Sequence, residues 1–406
     1  GDVYTIQGEF DAAIKHLEQA AQITGSVLRK AKIKRKIADV FEKRSEYEKA
    51  TEMLQQALED LKNQPNLVEE ATIYNSIGWI HSQKGDYTQA IDMATCALKL
   101  VEGTTAYDII ASINKNLGNY YFRKGDLEKT NLYFENGISQ AEQIGDKMLM
   151  AQLYNNLGLV ENMIGKVENA LNNYKKSIEL KKQIGDNVGL TNSYSNLGSL
   201  YSTMNDFDAS LKCHQNALEI AQRSGLRENI ANVENNLGNF YFKQGDNNQA
   251  TDHYLISLDI RKEIGNLPGL AEVYINLTGV NLKKGNLETA EKYSREGLRT
   301  AEEISVPQAI AHAWNKVGMV QQQKKDWREA IKSFSKAAEI ADKANMTLEI
   351  AEANRCTGEV LIEMGNRDQA KTSLQKALEI YKKIKSIDNI ELTQQSLSKL
   401  GKHLPN

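Results

Sequence analysis

NNLGNFYFKQGDNNQATDHYLISLDIRKEIGN, residues 235–266, reads as two amphipathic helices joined by an explicit turn. Val233, Leu237, Phe240 and Tyr241 fall at helical spacing and give the first helix one apolar face. Gly245 then stops it, since glycine accepts the left-handed conformation past a helix C-terminus. Asp246 starts the next helix by accepting its free N–H groups, and Gln249 three residues on fits a capping box. The run Ile256 to Ile264 carries the second helix onward to Gly265-Asn266.

The same sentence is written along the whole chain. Gly78, Gly118, Gly158, Gly198, Gly238, Gly318 and Gly358 recur every 40 residues, with Thr278 in the one gap. Gly85, Gly125, Gly165, Gly245, Gly285 and Gly365 form a second series in that register. Ala90, Ala170, Ala250, Ala290, Ala330 and Ala370 form a third, with Thr130 and Ser210 substituting. Glycine inside a helix costs about 1 kcal/mol against alanine, so its recurrence at 78, 118 and onward implies close approach of the second helix. The second helices carry Ala170, Tyr174 and Ile178, or Ala330, Phe334 and Ala337. Asn286 and Asn366 are expected to cap as the aspartates do, and Gln89, Glu329 and Gln369 to complete capping boxes.

The register sets the expected organisation: a partial first repeat at 1–30, nine consecutive repeats over 31–387, and a capping helix over 388–406. Gly1, Tyr4, Gly8 and Ala13 match Gly78, Tyr121, Gly85 and Ala90, so the chain opens halfway through a first helix. It reads as part of a longer protein, with room for an additional domain before Gly1. The next repeat follows at a shorter spacing, 37 residues from Ala13 to Ala50. Ile390, Leu392, Leu397 and Leu400 among Gln394, Gln395, Lys399 and Lys402 give the last helix one apolar and one polar face, which reads as a natural end.

Composition narrows the function. Of 406 residues 41% are hydrophobic and 25% charged, and only four are proline, which suits uninterrupted helices. A formal charge of −3 does not supply the basic footprint of a nucleic-acid binder. Three scattered cysteines make no disulfide framework and point to a reducing, cytoplasmic setting. No apolar run reaches membrane-spanning length. The six histidines form no ligand set with Cys or carboxylate at zinc spacing, and no phosphate loop or nucleophile elbow is present. Neither a metal, a cofactor nor an enzymatic activity is expected.

The 235–266 stretch and its counterpart YSNLGSLYSTMNDFDASLKCHQNALEIAQRSG, residues 194–225, resemble the tetratricopeptide repeat family. The likeness covers essentially the whole chain. The 40-residue, NLGN-type repeat is similar to that of spindle-orientation adaptors, kinesin light chains and the sensory arrays of bacterial kinases and cyclases. The resemblance implies an all-α, right-handed α-solenoid (a superhelix) of antiparallel helix pairs, with first helices lining the concave side. Thr278 for glycine, and Asn114, Glu234 and Asn354 where an aromatic is usual, are departures expected to loosen packing locally.

Counted from the alanine that opens each first helix, the fifth, sixth, ninth and twelfth positions face away from the core. The fifth holds Asn75, Asn155, Asn235 and Asn315; the sixth Asn116, Asn156, Asn196, Asn236 and Asn276; the ninth adds Asn119 and Asn239. Asparagine is a mediocre helix former, so helix stability does not explain the series. A carboxamide both donates and accepts, and a ladder of them can pair with the backbone of an extended peptide. Asparagines at these positions do so in the resembling families. The alternative is that they bond neighbouring helices. Trp79, Phe122, Leu159, Phe242, Leu282 and Met319 are candidates for apolar pockets or for burial between repeats. Lys115, Arg123 and Lys243 suit an acidic ligand, while Glu352, Glu359 and Glu363 give the C-terminal end the opposite tendency.

The reading that results is a scaffold holding a protein or peptide segment in a groove, as the adaptor or sensor part of a signalling protein. Two alternatives stay open: the regulatory portion of an enzyme whose catalytic domain lies upstream, and a receptor for a short signalling peptide.

Overall fold

The computed structural model describes residues 9–344, 346–384 and 386–402. The readings placed on Gly1, Tyr4, Gly8 and the tail from His403 lie outside the described residues. Among those described are twenty α-helices and no strand.

Two compact units divide at Leu200. The first contains α1 (Phe10–Ile23), α2 (Val27–Lys43), α3 (Tyr47–Leu61), α4 (Leu67–Gln83), α5 (Tyr87–Leu100), α6 (Tyr107–Arg123), α7 (Leu127–Ile144), α8 (Lys147–Met163), α9 (Val167–Ile184) and most of α10 (Asn187–Thr203). The second contains α11 (Phe207–Arg223), α12 (Arg227–Lys243), α13 (Asn247–Glu263), α14 (Leu267–Lys284), α15 (Leu287–Ile304), α16 (Pro307–Gln323), α17 (Trp327–Lys343), α18 (Thr347–Glu363), α19 (Arg367–Lys383) and α20 (Ile387–Lys402). In the first unit α2 pairs with α3, α4 with α5, α6 with α7 and α8 with α9; in the second α12 pairs with α13, α14 with α15, α16 with α17 and α18 with α19. First helices also touch the first helices of the next repeat, as α4 touches α6 and α14 touches α16. α20 packs on α19 and α18.

The glycines inside the first helices are sites of close approach. A Cβ at Gly118 would lie 2.4 Å from the Phe134 ring, and one at Gly238 2.4 Å from Tyr254. Both rings are at most 2% exposed. Burying such a ring removes roughly 150–250 Å² from water, about 4–6 kcal/mol at about 25 cal/mol/Å². That outweighs the ~1 kcal/mol helix penalty of the glycine opposite. Thr278 corrects the expectation of looser packing: it is fully buried, its hydroxyl donates to the Tyr274 carbonyl at 2.8 Å, and buried Ser294 stands where its counterparts Phe134 and Tyr254 stand. The larger residue on one helix is matched by the smaller on its partner.

The turns also follow from the sequence, with two revisions. Gly85 has φ +80°, and Asn205 and Lys325 occupy the same turn position at φ +60° and +64°. Asp86, Asp126 and Asp246 accept from the backbone N–H three residues on, at 3.1, 3.1 and 3.0 Å. Asn286 and Asn366 make no such side-chain bond. Nor do the capping boxes close in their usual reciprocal form. The N–H that Gln89 or Gln249 was expected to accept is already donated across the turn, Asp86 to His81 O and Asp246 to Tyr241 O, both at 3.0 Å. Gln249 turns instead onto its own cap, Nε2 donating to Asp246 Oδ2 at 3.0 Å. The Glu329 carboxylate accepts from Lys332. The long second helices run as their composition implied: α7 and α9 reach Ile144 and Ile184 before left-handed Gly145 and Gly185.

Candidate functional site

The structure divides the asparagine series. At the fifth position the carboxamides lie between repeats. Asn75 Oδ1 accepts from Asn116 Nδ2 at 3.0 Å, Asn155 Oδ1 from Asn196 Nδ2 at 3.2 Å, and Asn235 Oδ1 from Asn276 Nδ2 at 3.0 Å. Each is a clasp from a sixth-position asparagine back to the preceding first helix. The clasps recur every 80 residues because the fifth position is asparagine only in alternate repeats; Lys115, Ser195, Ile275 and Arg355 stand between. That double period is visible in the sequence and is the signal that separates the two positions.

Buried cations brace two of the clasps. Ser193 donates to Asn155 Oδ1 at 2.9 Å and accepts from Lys181 Nζ at 2.7 Å. Lys181 is 2% exposed, and burial depresses its pKa to about 8. In the second unit Asn235 donates to Glu272 Oε1 at 2.9 Å, and Arg261 reaches the other oxygen of that carboxylate at 3.3 Å. Asn315 is buried with neither its Oδ1 nor its Nδ2 bonded. Asn239 accepts from the Tyr254 hydroxyl at 2.7 Å. Asn236 is half-buried on α12.

The remaining candidates converge on two clefts. The first, about 640 Å³, lies across α4, α6 and α8 of the first unit. Trp79, Phe122 and Leu159 form apolar wall; Lys115, Arg123, Asn116, Asn119 and Asn156 supply polar groups. Asn119 and Asn156 spend no side-chain hydrogen bond on the protein among the described residues, and Asn116 spends only one donor. No carboxylate lines this cleft. Burial lowers the Lys115 pKa, with Asp146 opposing, and Lys115 forms no ion pair among the described residues. Trp79 is braced edge-on by Tyr47, ring centroids 6.4 Å apart.

The second cleft, about 660 Å³, spans α12, α14, α16 and α18 of the second unit. Phe242, Leu282 and Met319 meet there with Lys316, Arg355, Glu359 and Glu363. Its charge is mixed, and Arg355 is already paired with Glu359 at 2.7 Å. Lys243 lies apart, donating to the Ser202 carbonyl at 2.6 Å. No group of three or more His, Cys, Asp or Glu that could hold a metal occurs among the described residues. No helix among them is long and apolar enough to cross a membrane.

Comparison with known proteins bears on the fold. A Rap protein complexed with competence and sporulation factor superposes with TM-score 0.61 at 14% identity, over 88% of this chain and 99% of that one. Aspartyl phosphate phosphatase F from Bacillus subtilis gives TM-score 0.59 at 12% identity, over 88% and 94%. A signal transduction ATPase with numerous domains from Pyrococcus horikoshii, which carries a tetratricopeptide repeat sensor, gives TM-score 0.54 at 19% identity, over 90% of this chain and 55% of that one. At such identities the likeness is one of fold. No curated protein matches the chain. The sequence pattern of the tetratricopeptide repeat matches at residues 1–63, 29–103, 109–183, 149–223, 229–303 and 309–383. With most of its length so matched, the chain belongs to the tetratricopeptide repeat family.

Proposed function

We propose that this chain is a binding scaffold that holds an extended segment of a partner polypeptide against its first helices, as the recognition part of a signalling system. The observation that carries the proposal is the cleft across α4, α6 and α8. Two successive repeats present carboxamides with unspent donors and acceptors beside an aromatic wall and two cations, and no lining carboxylate neutralises them. Asn119 and Asn156 suit the N–H and C=O groups of an extended backbone. Trp79 and Phe122 suit an apolar side chain. Lys115 and Arg123 favour an acidic residue next to it, the more so because Lys115 is partly desolvated and unpaired. The similar Rap protein was crystallised with competence and sporulation factor, which accords with such a use of the fold.

The test is selection from a displayed library of random ten-residue peptides. The expected binders carry an acidic residue beside an aromatic or aliphatic one. They lose at least tenfold affinity for Lys115→Met with Arg123→Met, while the melt of that variant is unchanged. Binders without acidic bias, or undiminished binding to the double variant, would remove this cleft as the site.

A further inference from the structure

We propose that a second cavity in the first unit, between α5, α6 and α7, is a binding site for a phenol ring. The cavity is about 670 Å³ and includes Leu98, Glu102, Asn114, Asn136 and Gln140 in its lining. It shares no lining residue with the cleft across α4, α6 and α8.

The argument starts from the repeat. The fourth position of the first helix is aromatic in most repeats, as Tyr74, Tyr154, Tyr194, Tyr274 and Trp314 show. One repeat on from the cavity, the Tyr154 ring packs in a cluster with Ile138 and Leu180. Its hydroxyl donates to Glu142 Oε1 at 3.1 Å, and Lys176 Nζ stands 4.8 Å from the ring centre. Trp314 is covered in the same way by Lys336, at 4.1 Å. Moved back by one 40-residue repeat, these partners of Tyr154 become Leu98, Gln140, Glu102 and Asn136, all of which line the cavity. The residue that becomes Asn114 is the tyrosine itself. Leu98 and Glu102 keep the apolar contact and the acceptor of that setting, Gln140 and Asn136 stand in place of Leu180 and Lys176, and the ring at the fourth position is absent.

Asn114 does not fill the space by other means. It is 3% exposed, its Nδ2 donates to Ile110 of its own helix at 2.8 Å, and its Oδ1 is buried without a partner. The polar substitution at Glu234 differs, because there His253 closes the gap, Nδ1 to Oε2 at 2.6 Å, with Tyr241 stacked on the imidazole at 5.2 Å. The geometry at Asn114 therefore suits a ring brought by a ligand, its hydroxyl donating to the Glu102 carboxylate and its faces against Leu98 and Gln140.

The test is ligand-observed NMR titration of the whole chain with p-cresol and with N-acetyl-tyrosinamide. p-Cresol is expected to bind saturably, with Kd about 1 mM for so small a ligand. 4-Methylanisole, which lacks the donated proton, is expected to bind several-fold more weakly. Tighter binding by N-acetyl-tyrosinamide assigns the ring to a peptide, and tighter binding by p-cresol to a free phenol. Asn114→Tyr restores the ring in cis and is expected to abolish binding. Gln140→Trp, filling the cavity from α7, is expected to do the same and guards against misfolding of the first variant. No saturable binding to the wild type, or binding by both filled variants undiminished from that of the wild type, would overturn the assignment.

Discussion

Replacing Gly118 by alanine tests the packing logic of the repeat at one atom. The added Cβ would stand 2.4 Å from both Cδ1 and Cε1 of Phe134, a ring 2% exposed in the α6–α7 interface. Carbon atoms prefer about 3.5–4.0 Å, so the ring or the helix must yield by about 1 Å. Overpacking of this kind costs about 1–3 kcal/mol, and the better helix propensity of alanine returns ~1. The expected net is a loss of up to about 2 kcal/mol. Gly279→Ala is the control, since no atom lies within 4 Å of its added Cβ and only the propensity gain of up to about 1 kcal/mol remains. The two changes share their chemistry and are expected to differ in sign. Repeat arrays open locally, so the measurement is hydrogen exchange across α6 and α7 together with denaturant unfolding. Phe134→Leu in the Gly118→Ala background is expected to recover part of the loss, a coupling the single changes cannot show. If Gly118→Ala proves as stable as Gly279→Ala, close helix approach is not what the glycine series serves.

Three further outcomes follow from the same geometry. Asp246→Ala is expected to cost about 1 kcal/mol in thermal melts, whereas Asn286→Ala, whose side chain makes no capping bond, should change stability by only a few tenths. Asn155→Ala removes the acceptor shared by Ser193 and Asn196 and is expected to cost about 2 kcal/mol, while Asn156→Ala stays within about 0.5 kcal/mol by the same denaturation assay. Burial lowers the His214 pKa to about 4, below its unfolded value, so the folded chain binds fewer protons between those values and loses stability as pH falls through them. Relative to His214→Leu, the wild type should lose about 3 kcal/mol more between pH 7 and pH 4, read by urea unfolding at each pH.

The fold was legible because small residues repeat in fixed register, and each register has one steric cause. Gly118 needs the space that Phe134 fills, and Gly85 needs a left-handed turn. Capping was legible at Asp86, Asp126 and Asp246, whereas Asn286 and Asn366 make no capping bond. The expected capping boxes do not form because the preceding helix already takes the N–H they would accept, a fact of the tight turn and not of the residue pair. The asparagine series was legible as a series, but its division shows only in the alternate-repeat spacing of the fifth-position asparagines, which a face count does not use. A face count separates core from surface, yet neighbouring first helices sit close enough for Asn116 to reach Asn75 and for Asn276 to reach Asn235. Asn119 and Asn156, one step further round or in the alternate register, stay open to the cleft. The cavity at Asn114 was visible as an exception to the aromatic pattern, but whether a neighbour closes such a gap, as His253 does for Glu234, depends on a residue of another helix.

The most direct test of the account is hydrogen-exchange protection of the whole chain with and without a saturating acidic ten-residue peptide selected on it. The account predicts new protection in α4, α6 and α8, and little change in α5, α7 and α9. Protection confined to the second helices, or none in the α4–α6–α8 set while the peptide is bound, would contradict it.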